Sequence, residues 1–529
     1  MSAVSTGASV LDLLIVLACA TGIVGLGLAV SRRKSRTEEY FLASRASRWP
    51  AIGLALFASN ISSTAIIGLA GAAYVMGISV YDYEWTAGVV LVFYCVFLLP
   101  FLLRSRAYTM PEFLERRYDA RARLYFAALN VFLNIFVDLA AALYCGAIVC
   151  RLLLPGLPLW AIVCALAGAA GLYTLAGGLR AVIHTQVVQA VLLMAGAAII
   201  SVAAFDHAGG WHAVVRAVDP SMLSLIRPAS DPGVPWPGLL LGIPVLGLYY
   251  WCTNQYIVQQ TLAARSLDDG RRGALFAGLL KLSVLVLIVL PGTCAIVLFP
   301  HLQRSNLVYP TLMLRLLPEG LLGLVAAGFV AATMASVAST LNSAATIITM
   351  DVVKRIAPGM SEASLVRIGR RSMAVLLLVA VLWAPQLPRF GTLWQYLQAM
   401  LAYAVPPIVA LVLTGTFWRG ANAKGAAATL VLGTACAIAL FIVNVPLHVT
   451  HLHFLYVAPL LLAFDTAILV IASRWRPAPA SAIPSALVWT PAHYREETER
   501  LRSVALWRNY RVQAAGLLVL TAIVVVIFR

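Results

Sequence analysis

Charge is what this 529-residue chain has least of: 11% of its residues are Asp, Glu, Lys or Arg, against 61% hydrophobic ones. That balance excludes a soluble globular protein, because surface-to-volume scaling leaves too little interior to hide so much apolar surface. The cysteines exclude as much. They sit mostly one per apolar stretch, as at Cys19, Cys95, Cys164 and Cys294; no CxxC pair occurs, and Cys145 and Cys150 are the closest two. Small apolar packing is the expected role, not a disulfide framework or a zinc site. The eight histidines show no HExxH spacing, and neither a GxxxxGK[ST] loop nor a GxSxG elbow is present. Zinc-protease chemistry, ATP-driven work by this chain and serine-hydrolase chemistry therefore have no footing.

What is there instead is apolar length. A hydrocarbon core takes about 20 mostly apolar residues per helix. Fourteen candidate spans recur along the chain, roughly 9–31, 50–74, 80–103, 122–152, 158–177, 183–205, 237–262, 273–299, 313–352, 369–388, 392–416, 424–444, 453–474 and 508–528. The first resembles a secretion signal in length, but Arg32, Arg33, Lys34 and Arg36 follow its apolar run. That order predicts a retained helix with its amino end outside.

The net charge of +17 raises nucleic acid as a partner, and its distribution argues against it. If spans alternate from an outside amino end and residues at span edges count with the adjacent loop, thirty Lys or Arg fall on the cytoplasmic side and seven on the other, with Lys281 well inside a span. This is the positive-inside pattern of a multi-pass protein of the inner (plasma) membrane, surrounded by lipid. The stretch 475–507, with Pro477, Pro479 and Pro484 before an Arg/Glu mixture, reads as a cytoplasmic surface linker or short interfacial helix.

Two spans are interrupted by polar residues: Ser59-Asn60-Ile61-Ser62-Ser63-Thr64 in the second and Tyr249-Tyr250-Trp251-Cys252-Thr253-Asn254-Gln255 in the seventh. Each opens a block of five spans, 50–205 and 237–416. An odd number per block makes the two copies insert in opposite senses, and matched breaks in inverted halves point to a solute site near the midplane. Backbone freed at such breaks can bind ligand because it lines a cavity. For one break alone, hydroxyls bonding back to their own helix explain as much; for the matched pair, transport explains more.

Other polar groups sit inside spans. Ser336, Ser339, Ser343 and Thr346 share a helical face, which suits either a small hard cation or close helix packing. Asn130, Asn134 and Asp138 recur at steps of four. Glu84 and Lys281 are charges within the bilayer, where cost demands a partner or a wet cavity. They suit the hydroxyls of a polar solute, or each other. Tyr249, Tyr250 and Trp251 offer faces for a sugar ring, and Gln395 and Gln398 edges for it. Asp12 and Asp465 receive no role.

Taken together, Ala58-Ser59-Asn60-Ile61, Tyr83-Glu84-Trp85, Leu248-Tyr249-Tyr250-Trp251 with Asn254-Gln255-Tyr256, and Leu341-Asn342-Ser343-Ala344-Ala345-Thr346 ending in Thr349-Met350-Asp351 resemble the sodium:solute symporters, in particular their sodium/glucose (galactose) branch. The resemblance runs from about residue 45 to 475. It implies an all-α membrane fold with a five-plus-five inverted-repeat core of the leucine-transporter type: repeats 50–205 and 237–416, an added helix 9–31, two more within 424–474, and a last one at 508–528. It also implies alternating access driven by inward sodium flow. By resemblance the sodium ligands are the carbonyls of Ala58 and Ile61 with Ala332 and Ser336, and the solute contacts are Asn60, Glu84, Lys281 and Gln398, with Tyr250 as an aromatic gate. Five positions depart from the pattern. Ala335 lacks a sodium-site hydroxyl, for which Thr64 or Ser62 would compensate. Ala65, Gly247 and Asp138 replace sugar-binding side chains, Asp138 staying a candidate solute contact, and Gln186 replaces an acid near the ion path.

The preferred reading is a sodium-coupled symporter importing a small polar solute, a sugar or a similar hydroxylated compound. Ala335 and Asp138 keep open a proton-coupled or uncoupled carrier on the same scaffold. A membrane enzyme would show paired acids, a metal motif or a nucleophile with its base, and a sensor an appended soluble kinase; neither pattern is seen. Solute identity and oligomeric state are not readable from the residues.

Overall fold

The computed structural model describes residues 8–31, 36–390, 393–475, 477 and 487–529, with the side chains of 388–390 and 393–396 outside that description. Among the described residues there are helices and turns, with two isolated β-bridges and no strand. In chain order the main helices are α1 (Val10–Val30), α2 (Trp49–Asn60), α3 (Ser63–Met76), α4 (Asp82–Phe93), α5 (Ala120–Phe132), α6 (Ala140–Leu153) and α7 (Leu159–His207). After a connecting segment come α8 (Ile243–Cys252), α9 (Gln255–Leu262), α10 (Leu267–Leu282), α11 (Leu321–Ile347) and α12 (Glu362–Trp383). The chain closes with α13 (Leu393–Ala404), α14 (Pro406–Phe417), α15 (Ala423–Asn444), α16 (Phe454–Trp475), α17 (Pro491–Arg502) and α18 (Tyr510–Ile527).

The molecule exposes large apolar side chains and buries several charged ones within an apolar core. Leu14, Leu172, Val202, Leu382 and Val519 each expose more than half of their surface, while Arg271, Lys281, Asp82, Asp351 and Asp465 are buried. In water such outer faces would drive aggregation; against lipid tails they are the favourable surface. Nine helices of the described residues are long and apolar enough to cross a membrane, or ten with the bent pair Leu397–Ala404 and Pro406–Phe417 taken as one span. This count by length is lower than fourteen for two reasons. Some neighbouring spans are joined into one long stretch across a bend, as 159–207 is, and the interrupted ones divide into pieces too short to qualify singly.

Both interruptions expected from the sequence are real breaks. At the first, α2 stops at Asn60, Ile61 leaves helical geometry, and the Ser62 hydroxyl accepts from the Ala65 amide at 3.0 Å to cap α3. At the second, α8 stops at Cys252, the Thr253 hydroxyl donates to the Tyr249 carbonyl at 2.7 Å, and Asn254 caps α9. The polar residues therefore both end one helix and start the next. A third bend lies in α7 at Gly178, whose φ of +56° favours glycine and whose added Cβ would stand 2.3 Å from the Tyr40 carbonyl oxygen.

Helix α7 runs along α11, and α1 packs on both. Gly328 of α11 permits this approach, since a Cβ there would lie 2.7 Å from the Leu192 carbonyl oxygen. Asp12, given no role above, fastens α1: its Oδ1 accepts from the Gly320 and Gly323 amides at 2.8 and 2.7 Å. Elsewhere Asp351 and Glu115 share Arg123 (2.7 and 2.5 Å), tying the far end of the α11 segment to the start of α5. Part of the 475–507 stretch forms α17, which docks by an ion pair between Glu497 and the fully buried Arg271. Residues 476 and 478–486 of that stretch lie outside the described residues.

Candidate functional site

Six elements each bring one polar residue to a common space. Asn60 is the last residue of α2, Glu84 lies in the first turn of α4, and Tyr250 stands in the last turns of α8. Asp138 sits on the π-helical turn Leu133–Leu139 between α5 and α6, Lys281 near the end of α10, and Gln398 on α13. All six line one cavity, of which about 120 Å³ is open to water centres. One buried water needs roughly 10–15 Å³ by that measure. The space between the two breaks is thus large enough for several waters or a small solute. The extra backbone residue of a π turn re-aims side chains, and such turns recur at functional sites.

Lys281 and Glu84 are 1% and 5% exposed, and the Lys281 ammonium donates to Glu84 Oε2. The same ammonium stands 5.5 Å from the centre of the Trp251 ring. Each charge is therefore partnered inside the protein, while both residues still line the cavity. The Tyr256 hydroxyl donates to that of Tyr250, so the pair forms one hydrogen-bonded aromatic wall. Asn60 Oδ1 is buried with no partner among the described residues. Ala65 and Gly247 also line the space, leaving it wider than longer side chains would. The side chain of Gln395 lies outside the described residues.

Of the expected sodium ligands, Ala58, Ile61, Ala332 and Ser336 are all buried, and Ser336 lines the cavity. The break frees backbone: the Ser62 amide donates to the Asn60 carbonyl at 2.8 Å instead of continuing the helix onto Ala58. The Ser336 hydroxyl donates to the Ala332 carbonyl at 3.1 Å, which uses its proton and leaves oxygen lone pairs. Thr64 Oγ1 is buried without a partner among the described residues. Carbonyl and hydroxyl oxygens at one break are the hard donors that suit a small hard cation, so these residues fit one.

The rest of the α11 hydroxyl stripe goes to packing. Ser339 donates to the Ala335 carbonyl at 3.0 Å, Ser343 accepts from Asn134 Nδ2 at 3.3 Å, and Thr346 accepts from Gln259 Nε2 at 2.9 Å. Gln186 donates to Ser59 Oγ (2.7 Å) and the Ala335 carbonyl (3.3 Å), and accepts from Gln260 Nε2 (3.2 Å). This buried amide network under the first break was not visible in the sequence, since Gln186 and Gln260 are 74 residues apart. Tyr256 and Thr340 also line the cavity without having been singled out as site residues. Tyr256 carried a signal, its place two residues past a break cap, and Thr340 another, its place in the hydroxyl-rich run.

The sequence model for the sodium:solute symporter family matches residues 40–433. A sodium/glucose cotransporter of Vibrio parahaemolyticus is 36% identical over 84% of this chain and 88% of its own length. The sodium/myo-inositol cotransporter 2 of Mus musculus is 35% identical over 89% of this chain and 77% of its own. Among solved structures, that of a Na⁺-coupled sialic acid symporter in a substrate-bound outward-open state superposes with a TM-score of 0.80. It covers 89% of this chain and 99% of the other at 20% identity, a likeness of fold.

Proposed function

The chain belongs to the sodium:solute symporter family, a family of transporters and not of enzymes, and from that premise we propose that it imports a small hydroxylated solute, a sugar or a cyclitol, together with sodium. The observation that carries this reading is the polar-lined cavity at the junction of two helix breaks, where Glu84, Lys281, Gln398 and Asn60 converge from four helices. In this reading the fold is a five-plus-five inverted repeat, 50–205 and 237–416, within fourteen crossings. Segments 9–31, 424–474 and 508–528 are accessory helices and 475–507 a cytoplasmic linker. The chain resides in the inner (plasma) membrane with its amino end outside.

The division of labour follows from the chemistry. Charged groups orient hydroxyls well: the Glu84 carboxylate accepts, the Lys281 ammonium donates, and the Gln398 and Asn60 amides do both. Asp138 adds a second acceptor. Tyr250, braced by Tyr256, caps the space from α8. Sodium, as co-substrate, takes the Ala58 and Ile61 carbonyls, Ala332 and the Ser336 hydroxyl, with Thr64 supplying the oxygen that Ala335 lacks. These ligands join α2, α3 and α11, so the ion draws the first break onto α11 and favours the outward-open arrangement in which solute binds best. Each monovalent cation moving down 100 mV releases about 2.3 kcal/mol. That supports roughly a fortyfold solute gradient, since 1.4 kcal/mol is tenfold.

Uptake of labelled glucose and myo-inositol into proteoliposomes, with an inward sodium gradient or with choline in its place, tests the proposal. Accumulation that requires the sodium gradient supports it. Equal rates in both would leave an uncoupled or proton-driven carrier as the better account.

A further inference from the structure

The charges lining the cavity do not cancel. Lys281 is the one cation among the described lining residues, and it is engaged by Glu84. Asp138 lines the same space, with neither a hydrogen-bond donor nor an ion-pair partner to it among the described residues. Asn60, elsewhere on the same lining, presents a buried carbonyl oxygen that lacks a donor among the described residues. The walls contributed by Tyr250, Tyr256 and Trp251 are aromatic, and of their polar hydrogens the Tyr256 hydroxyl is spent on Tyr250. The site thus holds one acid more than it holds bases, on a lining otherwise made of hydroxyls, amides and ring faces.

We propose that Asp138 selects solutes that carry a cationic amine: the cavity takes an amino sugar or aminocyclitol in preference to its neutral hydroxyl counterpart. The inference rests on the reading of the cavity as the solute site. An ammonium supplies three donors and no acceptor, which matches a lining with an unpartnered carboxylate and an unpartnered amide oxygen. Aromatic faces attract a cation more strongly than a neutral hydroxyl. A hydroxylated solute with one amine keeps its remaining hydroxyls for Glu84, Lys281 and Gln398, so the two recognitions act on different parts of one molecule.

The experiment uses isosteric pairs in proteoliposomes of the full chain at pH 6.5 under a sodium gradient: 2-amino-2-deoxyglucose against glucose, and amino-inositol against myo-inositol. Wild type is expected to prefer each amine by about tenfold or more in half-saturation, the scale of one charge-assisted hydrogen bond. Asp138→Asn is expected to bring each pair to parity or reverse it. The wild-type comparison stands even if that variant does not fold. Equal or stronger uptake of the neutral partners by wild type overturns the inference while leaving sodium-coupled transport intact. So does an amine preference that survives in Asp138→Asn. Neutral uptake that carries an extra proton, lost in Asp138→Asn, also overturns it and makes Asp138 a proton site. If none of the four compounds enters, the reading of the cavity as a sugar-type site fails and this inference falls with it.

Discussion

Replacing Lys281 by Met keeps the bulk of the side chain, removes its charge and strands Glu84. Glu84 is 5% exposed and Lys281 1% exposed, and each holds the other by a direct charged hydrogen bond. Breaking such a pair from one side leaves an uncompensated buried charge and is expected to cost about 3–5 kcal/mol. Removing both charges with isosteres, as in Glu84→Gln with Lys281→Met, should restore most of that stability, because no ion is then left without a partner. Thermal unfolding of the purified protein in detergent reads this part. Transport separates the two roles of the pair. If Glu84 and Lys281 also hold solute, the double variant is folded and binds poorly: each charged hydrogen bond lost is worth about 1.5–3 kcal/mol. Half-saturation should then rise roughly ten- to a hundredfold per bond. A double variant with wild-type half-saturation would refute the solute-binding role and leave a structural ion pair. A single variant as stable as the double one would refute the claim that the charges are desolvated.

Three further outcomes are expected. Thr64→Ala and Ser336→Ala should each raise the sodium concentration needed for half-maximal uptake severalfold at unchanged expression; sodium dependence identical to wild type in both would remove these hydroxyls from the ion site. Gly328→Val should destabilise the α7–α11 contact by about 1–3 kcal/mol through overpacking, since even its Cβ would lie 2.7 Å from the Leu192 carbonyl oxygen; an unchanged melting temperature would show that the helices yield. Burial pushes the Glu497 carboxyl up, but hydrogen bonds from Arg271, Tyr510 and Arg511 and the charge of Arg271 outweigh it and hold the group below its ordinary range. Its stabilising contribution is therefore complete above the ordinary Glu value of about 4.3 and lost as pH falls through the lower folded value. The stability gap between wild type and Glu497→Gln should be constant near neutrality and close in acid; a gap independent of pH would exclude the ionised pair as its source.

Much of the architecture was legible because lipid simplifies the code. A water-soluble chain can hide a polar residue in many ways, whereas a polar cluster inside an apolar run has few. Ser62 and Asn254 were visible as interruptions, and each proved to be a helix cap. Glu84, Lys281 and Asp138 were visible because charge is costly in a bilayer and so stands out. The Gln395 side chain, read with Gln398 as a contact for the edge of a sugar ring, lies outside the described residues. Less legible was how hydroxyls are used. The stripe on α11 reads alike for ion binding and for packing. Only the surroundings separate Ser336, which meets the cavity, from Ser343 and Thr346, which are taken by Asn134 and Gln259.

By itself the sequence determined that the chain lives in lipid, where its helices break and which charges lie within the bilayer. Each of these is a local property of composition against one solvent. Tertiary structure alone decided which of those groups meet. Glu84 and Lys281 are 197 residues apart, and Asp138 has no complementary charge beside it although others lie elsewhere in the bundle. Partnership between distant side chains is set by how helices cross, which depends on many packing contacts at once and leaves no periodic trace in the chain.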